Sequence, residues 1–338
     1  MRYTRSWFFV LLLGCGQDSA PSAIESSIEI QFPWYFCIHG GEVDYSLDKA
    51  ASAFQTVLDL GGVGVRTDIF WFDVEPKRNI WDARKVDFYA GYFDHAVADG
   101  LDPMAILSGA PDWALDLYKE DKAAFWSEYE EYIREVVTLV GAKTTRYQLW
   151  NEANGILDPI DAGDDWELFA RAGAILRAQD PGSILFINAY ANWLGWEEAV
   201  TDWVTKAGTF IDVIGVDHYP GTWSLGPFTN WWPVDRLLER IQTPGDVWYG
   251  KQGAVLETGF STWAPDLADE LDQVAWIDQS LPALRERVKS GPIVLGAFYQ
   301  LIDANTAEWG HEAHFGILKS DLTPKPGYEN LKQQIAQF

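Results

Sequence analysis

The sequence predicts an α/β fold, a single (β/α)8 barrel, from three observations. Eight short apolar runs recur along the 338 residues, at intervals of roughly 30 to 40 positions. Segments with helical periodicity fill the intervals. No GxGxxG loop follows any run, which removes the main rival, an open sheet that holds a nucleotide.

Taken in order, the strands fall at 33–39 (PWYFCIH), 62–69 (GVGVRTDI), 102–108 (DPMAILS) and 145–151 (TRYQLWN). Four more follow at 183–189 (SILFINA), 211–218 (IDVIGVDH), 252–258 (QGAVLET) and 294–301 (VLGAFYQL). The runs are mostly apolar rather than alternating, as parallel strands covered on both faces require. Between them, FWSEYEEYIREVVTLV (125–140) aligns Tyr129, Tyr132, Ile133, Val136 and Val137 on one helical face. WELFARAGAILRAQ (166–179) and ELDQVAWIDQSLPALRERV (270–288) read the same way, and Pro282 should kink or split the second. DGLDP, QDPGS and KSGP supply turns between helix ends and the next strands.

The first residues are not read as fold. Arg2 and Arg5 precede an apolar run from Trp7 to Leu13, long enough for a signal-peptide core and too short to cross a bilayer. Leu12-Leu13-Gly14-Cys15 resembles the lipobox of bacterial lipoproteins, in which the Cys is lipidated and becomes the new N-terminus. The expected organisation is a signal peptide over 1–14, a lipidated Cys15 with a polar tether over 15–29, and the barrel over 30–338. That implies an exported protein, anchored by lipid at a bacterial envelope, periplasmic or at the cell surface. Cys37 would then be the one remaining thiol, and its apolar surroundings predict a buried, inert side chain.

Composition narrows the function further. The 25 Lys and Arg stand against 50 Asp and Glu, and a net charge of −25 excludes a nucleic-acid surface. The chain also carries 18 tryptophans, several in expected loops, where indole faces suit flat ligands such as sugar rings. Trp113, Trp223, Trp231, Trp232, Trp263 and Trp309 form this set, although each alone reads more readily as a packing residue.

In such a barrel, chemistry gathers at the C-terminal ends of the strands. Those ends carry His39, then Arg66 and Asp68, then Pro111-Asp112-Trp113, then Asn151-Glu152. Asn188, His218-Tyr219, Glu257 and Tyr299-Gln300 close the later strands. No set of His, Asp and Glu has metal-ligand spacing, and HEAH at 311–314 lacks the HExxH pattern. No metal or cofactor is expected. Two glutamates therefore converge on one bowl from strands four and seven. Carboxyl groups in unlike environments can divide acid and base work, as cleavage of a glycosidic bond requires.

Here the sequence resembles the clan A glycoside hydrolases, the retaining β-glycosidases and β-glycanases that include family 5 cellulases and mannanases and family 39 xylosidases. The resemblance rests on VRTDIFWFDVEP (65–76), LWNEAN (149–154), DHYPGTW (217–223), VLETGF (255–260) and FGILKSDLTPKPGY (315–328). It implies that Glu152 is the general acid/base and Glu257 the nucleophile. Asn151 would bond the sugar's 2-hydroxyl, and Arg66 would hold Glu257 ionised. Tyr219, or else His218, would donate to the nucleophile. The partner implied is an oligo- or polysaccharide, with Trp113, Trp223, Tyr299 and Trp309 among its contacts.

Two positions depart from the pattern. Ala153 follows the Asn-Glu pair where relatives often carry Pro, and strand eight ends in Phe-Tyr-Gln where many carry Trp. Three other readings stay open on sequence grounds. Glu152 could be a structural ion pair with Arg66 or Arg146 at the barrel mouth. The whole chain could be a non-catalytic carbohydrate-binding surface lipoprotein, or a transglycosylase that uses the same covalent intermediate.

Overall fold

The computed structural model describes residues 32–338 except 156–158, 193, 264–268 and 305–306, and excludes the side chains of 307–309. The expected signal peptide, Cys15, the tether and the side chain of Trp309 therefore lie outside the described residues. Eight parallel strands close into a barrel in sequence order. They are β1 (Trp34–Cys37), β2 (Gly64–Asp68), β3 (Asp102–Leu107), β4 (Arg146–Leu149), β5 (Ile184–Tyr190), β6 (Val213–Asp217), β7 (Gln252–Thr258) and β8 (Ile293–Phe298). β8 pairs with β1 to complete the ring.

Helices cover the outside of the barrel. They are α1 (Leu47–Asp59), α2 (Trp71–Val74), α3 (Ala83–Ala98), α4 (Asp112–Glu120), α5 (Lys122–Val140) and α6 (Asp165–Gln179). α7 (Trp196–Ala207), α8 (Trp232–Gln242), α9 (Glu270–Ser290) and α10 (Tyr328–Ile335) complete the shell. Part of the acidic excess works locally: Asp82, Asp121 and Asp269 accept backbone N–H bonds at the starts of α3, α5 and α9. α9 runs through Pro282 as one element rather than splitting there. Trp276, Ile277, Leu281 and Leu284 bury its face on both sides of the proline, and this packing outweighs one missing backbone bond.

Strand alternation sorts the side chains into two cores. Trp34 and Phe36 point out to the helices, while Tyr35 and Cys37 point into the barrel beside Met104, Phe186, Val213, Ala254, Leu256 and Leu295. The lower barrel is thus apolar. Its upper layer is polar, because Cys37, Arg66, Gln148, Asn188 and Asp217 take inward positions toward the C-terminal ends of five strands, all buried. Cys37 is a free, buried thiol that burial pushes far above its ordinary titration range.

The seam around β7 breaks the regular register. Val216 faces Val255, but Asp217 faces Glu257, so β7 gains one residue against β6. A bulge of this kind re-aims the side chains beyond it. Leu256 fills the barrel interior and Glu257 still reaches the mouth, which strict alternation would forbid. Just beyond, Gly259 brings the β7 and β8 ends into contact. A Cβ there would lie 1.8 Å from the Tyr299 carbonyl oxygen.

Gly259→Ala should therefore cost about 1–3 kcal/mol or more, as overpacking against backbone does. Urea unfolding should give a lower midpoint with an unchanged slope. An unaltered midpoint would show that the β7–β8 seam has room to spare.

Candidate active site

Arg66 is the base of the site. Its side chain is fully buried, and β2 delivers it to four partners from three other strands or their ends. Nη1 stands 2.8 Å from Glu257 Oε1 and donates to Cys37 Sγ at 3.3 Å. Nε donates to Gln148 Oε1 at 2.8 Å, and Nη2 to Asn151 Oδ1 at 3.1 Å. A buried guanidinium is tolerable when its fork of donors is matched in this way. The carboxylate of Glu257 heads its partners and holds Arg66 well above its ordinary pKa against the pull of burial.

At the end of β4 the backbone turns sharply. Trp150 and Glu152 adopt φ of 72° and 45°, a left-handed region costly for large residues, on either side of Asn151. Asn151 Oδ1 accepts from Arg66, from Gln148 Nε2 at 3.0 Å and from Asn188 Nδ2 at 2.8 Å. Three donors on the oxygen fix the amide, with its Nδ2 as the donor side. Asn188 Oδ1 accepts the Glu152 backbone N–H at 3.0 Å, which ties the turn to β5.

The two glutamates have unlike surroundings. Glu257, 6% exposed, takes Arg66 on one oxygen and the Tyr219 hydroxyl on the other at 2.5 Å. Among the described residues no cation pairs with Glu152. Burial first, and then the charge of Glu257, push its carboxyl up to about 8. The structural alternative for Glu152 loses both its partners, since Arg66 pairs with Glu257 and Arg146 with Asp102 at 2.6 Å.

A third carboxyl lies between them. Asp217 at the end of β6 is fully buried and accepts a hydrogen bond from Asn188 Nδ2. Its Oδ1 meets no N–H or O–H donor among the described residues. The interaction with Asp217 pulls the other way on Glu152 and offsets part of its rise. Burial and the charges of both glutamates hold Asp217 well above the ordinary carboxyl range. Glu152, Asp217 and Glu257 each offer an oxygen within 4.8 Å of the others, a spacing that a divalent cation could bridge. Arg66 at 2.8 Å from Glu257 already supplies positive charge there and repels a second cation. The donor set suits protons better than metal.

The bowl above this base encloses about 270 Å³ and is lined by His39, Asp68, Asn151, Glu152, Tyr219, Trp223, Glu257 and Tyr299. Those eight residues were all marked in the sequence. Tyr190 and Glu312 join them without having been marked, and Phe70 completes the wall. His39 Nδ1 stands 3.0 Å from Asp68 Oδ2. Burial would lower the His39 pKa, but Glu42 and Asp68 outweigh it and push it up to about 9, so the ring is cationic at neutral pH. The Tyr299 hydroxyl donates to Glu312 at 3.0 Å, and its ring meets His39 and Tyr219 edge-on.

Other expected contacts lie elsewhere. His218 does not face Glu257. Its Nε2 lies 2.7 Å from the Asn230 carbonyl oxygen and its Nδ1 3.0 Å from Asn192 Oδ1, and burial lowers its pKa to about 4. Consecutive strand residues point to opposite sides, so Tyr219 and His218 cannot both enter the bowl. Trp231 is buried and donates to the Ser280 carbonyl, while Trp232 packs on Trp196. Trp263 and Trp223 flank the His311 ring at 4.7 and 4.6 Å. Trp113 lines a separate cavity and donates to the Glu75 carbonyl at 3.1 Å. The sequence reading also passed over Gln148 and Asp217. The signal for Gln148 was a lone amide in an apolar strand, and Asp217 stood inside a quoted motif without a role.

No protein-family model matches the chain, and no curated protein matches it. Solved structures do match in fold. The GH5_18 protein of Streptomyces cattleya, in complex with GlcNAc, is 17% identical and superposes with a TM-score of 0.72. That match covers 91% of this chain and 80% of the other. A family 39 glycoside hydrolase from the gut symbiont Bacteroides cellulosilyticus WH2 is 18% identical, with a TM-score of 0.64 over 90% of this chain and 64% of that one. A β-glucosidase, 1317, is 17% identical, with a TM-score of 0.68 over 90% and 98%. At these identities the likeness is one of fold.

The site should be destabilised by its own carboxyls. Glu152 moves from an ordinary 4.5 to about 8 on folding, so the folded chain retains a proton that the unfolded chain has lost between those values. Stability contributed at this position therefore falls as pH rises through that window. Glu152→Gln should raise the unfolding midpoint, with a gain over the parent that grows from the acidic to the basic end of the window. Scanning calorimetry at the two ends checks this, and a gain independent of pH would contradict the environment described for Glu152.

Proposed function

We propose that the protein is a retaining glycoside hydrolase that cleaves β-linked oligo- or polysaccharides by double displacement. One observation carries the reading: Glu152 and Glu257 hold oxygens within 4.8 Å of each other in one bowl, with unlike partners. Retaining enzymes set their carboxyl groups about 5–5.5 Å apart, whereas inverting ones leave about 6.5–9.5 Å for a water. The motifs at 149–154 and 255–260, and a fold shared with glycoside hydrolases, support the same assignment.

In the first step Glu257 Oε attacks the anomeric carbon while the bond to the leaving oxygen breaks. Arg66 and Tyr219 hold the attacking carboxylate in place. Glu152, protonated at neutral pH by its raised pKa, passes its proton to the leaving oxygen. In the second step Glu152 takes a proton from water, the hydroxide attacks the same carbon, and Glu257 leaves. Two inversions give net retention. The oriented Asn151 amide would donate to the 2-hydroxyl, a contact that tightens as positive charge develops on the ring. Neutral and amino-type pyranoses are the natural first probes, because neighbours of the same fold were solved with GlcNAc and with Manβ1-4GlcNAc.

Glu257→Ala should reduce hydrolysis of a panel of β-linked glycans and aryl β-glycosides to background while the fold and glycan binding persist. Glu152→Ala should slow substrates with poor leaving groups far more than activated aryl glycosides, and added azide should restore rate by forming the β-glycosyl azide. Proton NMR of the first sugar released should show the β-anomer; the α-anomer would overturn double displacement. Silence of the parent across the panel, with glycan binding intact, would favour the non-catalytic binding reading.

The N-terminal sequence supports a place for this activity as well. Export and lipidation at Cys15 would tether the barrel to a bacterial envelope through the polar segment that follows. Mass spectrometry of the mature N-terminal peptide should find an acylated Cys15, and an unmodified peptide beginning elsewhere would remove the anchor.

A further inference from the structure

Asp217 is a buried carboxyl that the two-glutamate scheme leaves without a task. It sits at the end of β6, fully buried, and the register places it between Tyr190 on β5 and Glu257 on β7. One of its oxygens, Oδ2, accepts from Asn188 Nδ2. The other, Oδ1, is buried and meets no donor among the described residues. A buried acceptor without a donor is costly, and rare enough in folded proteins to ask for an explanation.

The groups around Asp217 decide between its two forms. As a carboxylate it would hold a negative charge out of water with no cation paired to it. Arg66 on β2 directs its donors to Glu257, Cys37, Gln148 and Asn151 instead. Glu152 after β4 and Glu257 on β7 each hold an oxygen within 4.8 Å, so a charge on Asp217 would face like charge. Tyr190, Tyr219 and the Cys37 thiol, the other titratable groups close by, bring no positive charge. A buried acid so placed takes up a proton rather than stay ionised. As a neutral acid, Asp217 accepts from Asn188 on Oδ2 and carries on Oδ1 a proton that needs an acceptor.

Most neighbouring acceptors are already matched. Glu257 receives Arg66 on one oxygen and the Tyr219 hydroxyl on the other. Asn151 Oδ1 takes three donors, and Asn188 Oδ1 takes Gln148 Nε2 and the Glu152 backbone N–H. Glu152 is the carboxyl within reach that no cation holds among the described residues. The influence of Asp217 on Glu152 also has the sign of a donor. It lowers the Glu152 carboxyl, where a like charge would raise it.

We propose that Asp217 is a positioning residue that stays a neutral acid and donates a hydrogen bond to Glu152. The inference rests on the proposed hydrolase reading and deepens it. When Glu152 gives its proton to the leaving oxygen, it becomes a half-buried carboxylate with no cation of its own. The Asp217 O–H holds that carboxylate and keeps its own proton throughout. In the second step the same bond steadies Glu152 as it takes a proton from water. Asp217 is not among the residues that line the bowl, so it acts through Glu152.

Two substitutions separate a donor from a charge. Asp217→Asn keeps a donor toward Glu152 and an acceptor for Asn188 but cannot ionise, whereas Asp217→Ala removes donor and acceptor together. Asp217→Asn should keep kcat/KM for aryl β-glycosides with poor leaving groups near the parental value. Asp217→Ala should lower it about ten- to a hundredfold, the scale of one hydrogen bond to a charged group. It should also move the basic limb of the pH profile of kcat/KM upward by about one unit, since an unsupported Glu152 carboxylate forms less readily. A merely structural Asp217 would leave that limb in place in both variants. An ionised Asp217 would move it downward in both, because both remove a like charge. Either result overturns the proposal. Infrared spectroscopy reads the proton without turnover. The parent should keep a protonated-carboxyl band above the pH at which Glu152 titrates, and Asp217→Asn should abolish that band. Its absence from the parent would overturn the proposal whether or not the protein cleaves glycans. A parent that shows the band but cleaves nothing would support the neutral Asp217 and remove the hydrolase reading alone.

Discussion

The arrangement at the barrel mouth depends on Arg66. A guanidinium taken fully out of water costs several kcal/mol unless its donors are matched and its charge is paired. Here Cys37 from β1, Gln148 and Asn151 from β4 and its end, and Glu257 from β7 provide the matching. One side chain therefore sets the positions of β1, β4 and β7 relative to β2 at the level where the site begins. Removing it would leave Glu257 without its cation and Gln148 without its donor. Asn151 Oδ1 would lose one of its three donors.

The Arg66 cation, set against the buried Asp217 and Glu257 and the half-buried Glu152, also governs their protonation. Glu257 takes the guanidinium and a phenol hydroxyl. Glu152 and Asp217 pair with no cation among the described residues, and burial and the neighbouring carboxyl charges raise both. Two groups of one chemical type are thereby driven apart in character, one suited to attack and the other to giving up a proton. The cost is carried by folding, since a site that repels its own charges is less stable than the same scaffold with amides in their place. The scaffold around it is rigid enough to hold this strain, including the left-handed backbone at Trp150 and Glu152.

The loops divide labour around this centre. The β7 and β8 ends, brought together at Gly259, carry Tyr299 and close the bowl with Phe315, Trp223 and Glu312. The loops after β2 and β3 instead line two further cavities, one beside Phe70 and Phe72 and one beside Trp113. Enclosure on one side and extension on the other follow from where glycine and aromatic residues fall in these loops. The strands beneath are nearly uniform.

By itself the sequence determined the architecture and marked most of the residues that line the bowl. Eight apolar runs with helical intervals are a local signal, and closure of a parallel sheet covered on both faces follows from them. Asn151-Glu152, Glu257, Arg66 and Tyr219 sat at strand ends that could be read from the same runs. Only the tertiary structure decided which way each residue turns. The bulge on β7 sends Glu257 to the mouth, and the left-handed turn after β4 aims Glu152. Strand parity selects Tyr219 over His218, and register brings Asp217 and Gln148 under the glutamates. Trp113 was legible as a loop aromatic, but its distance from the bowl was not. Such facts depend on contacts between residues far apart in sequence, and backbone dihedrals, register and burial are set only when all eight strands are in place.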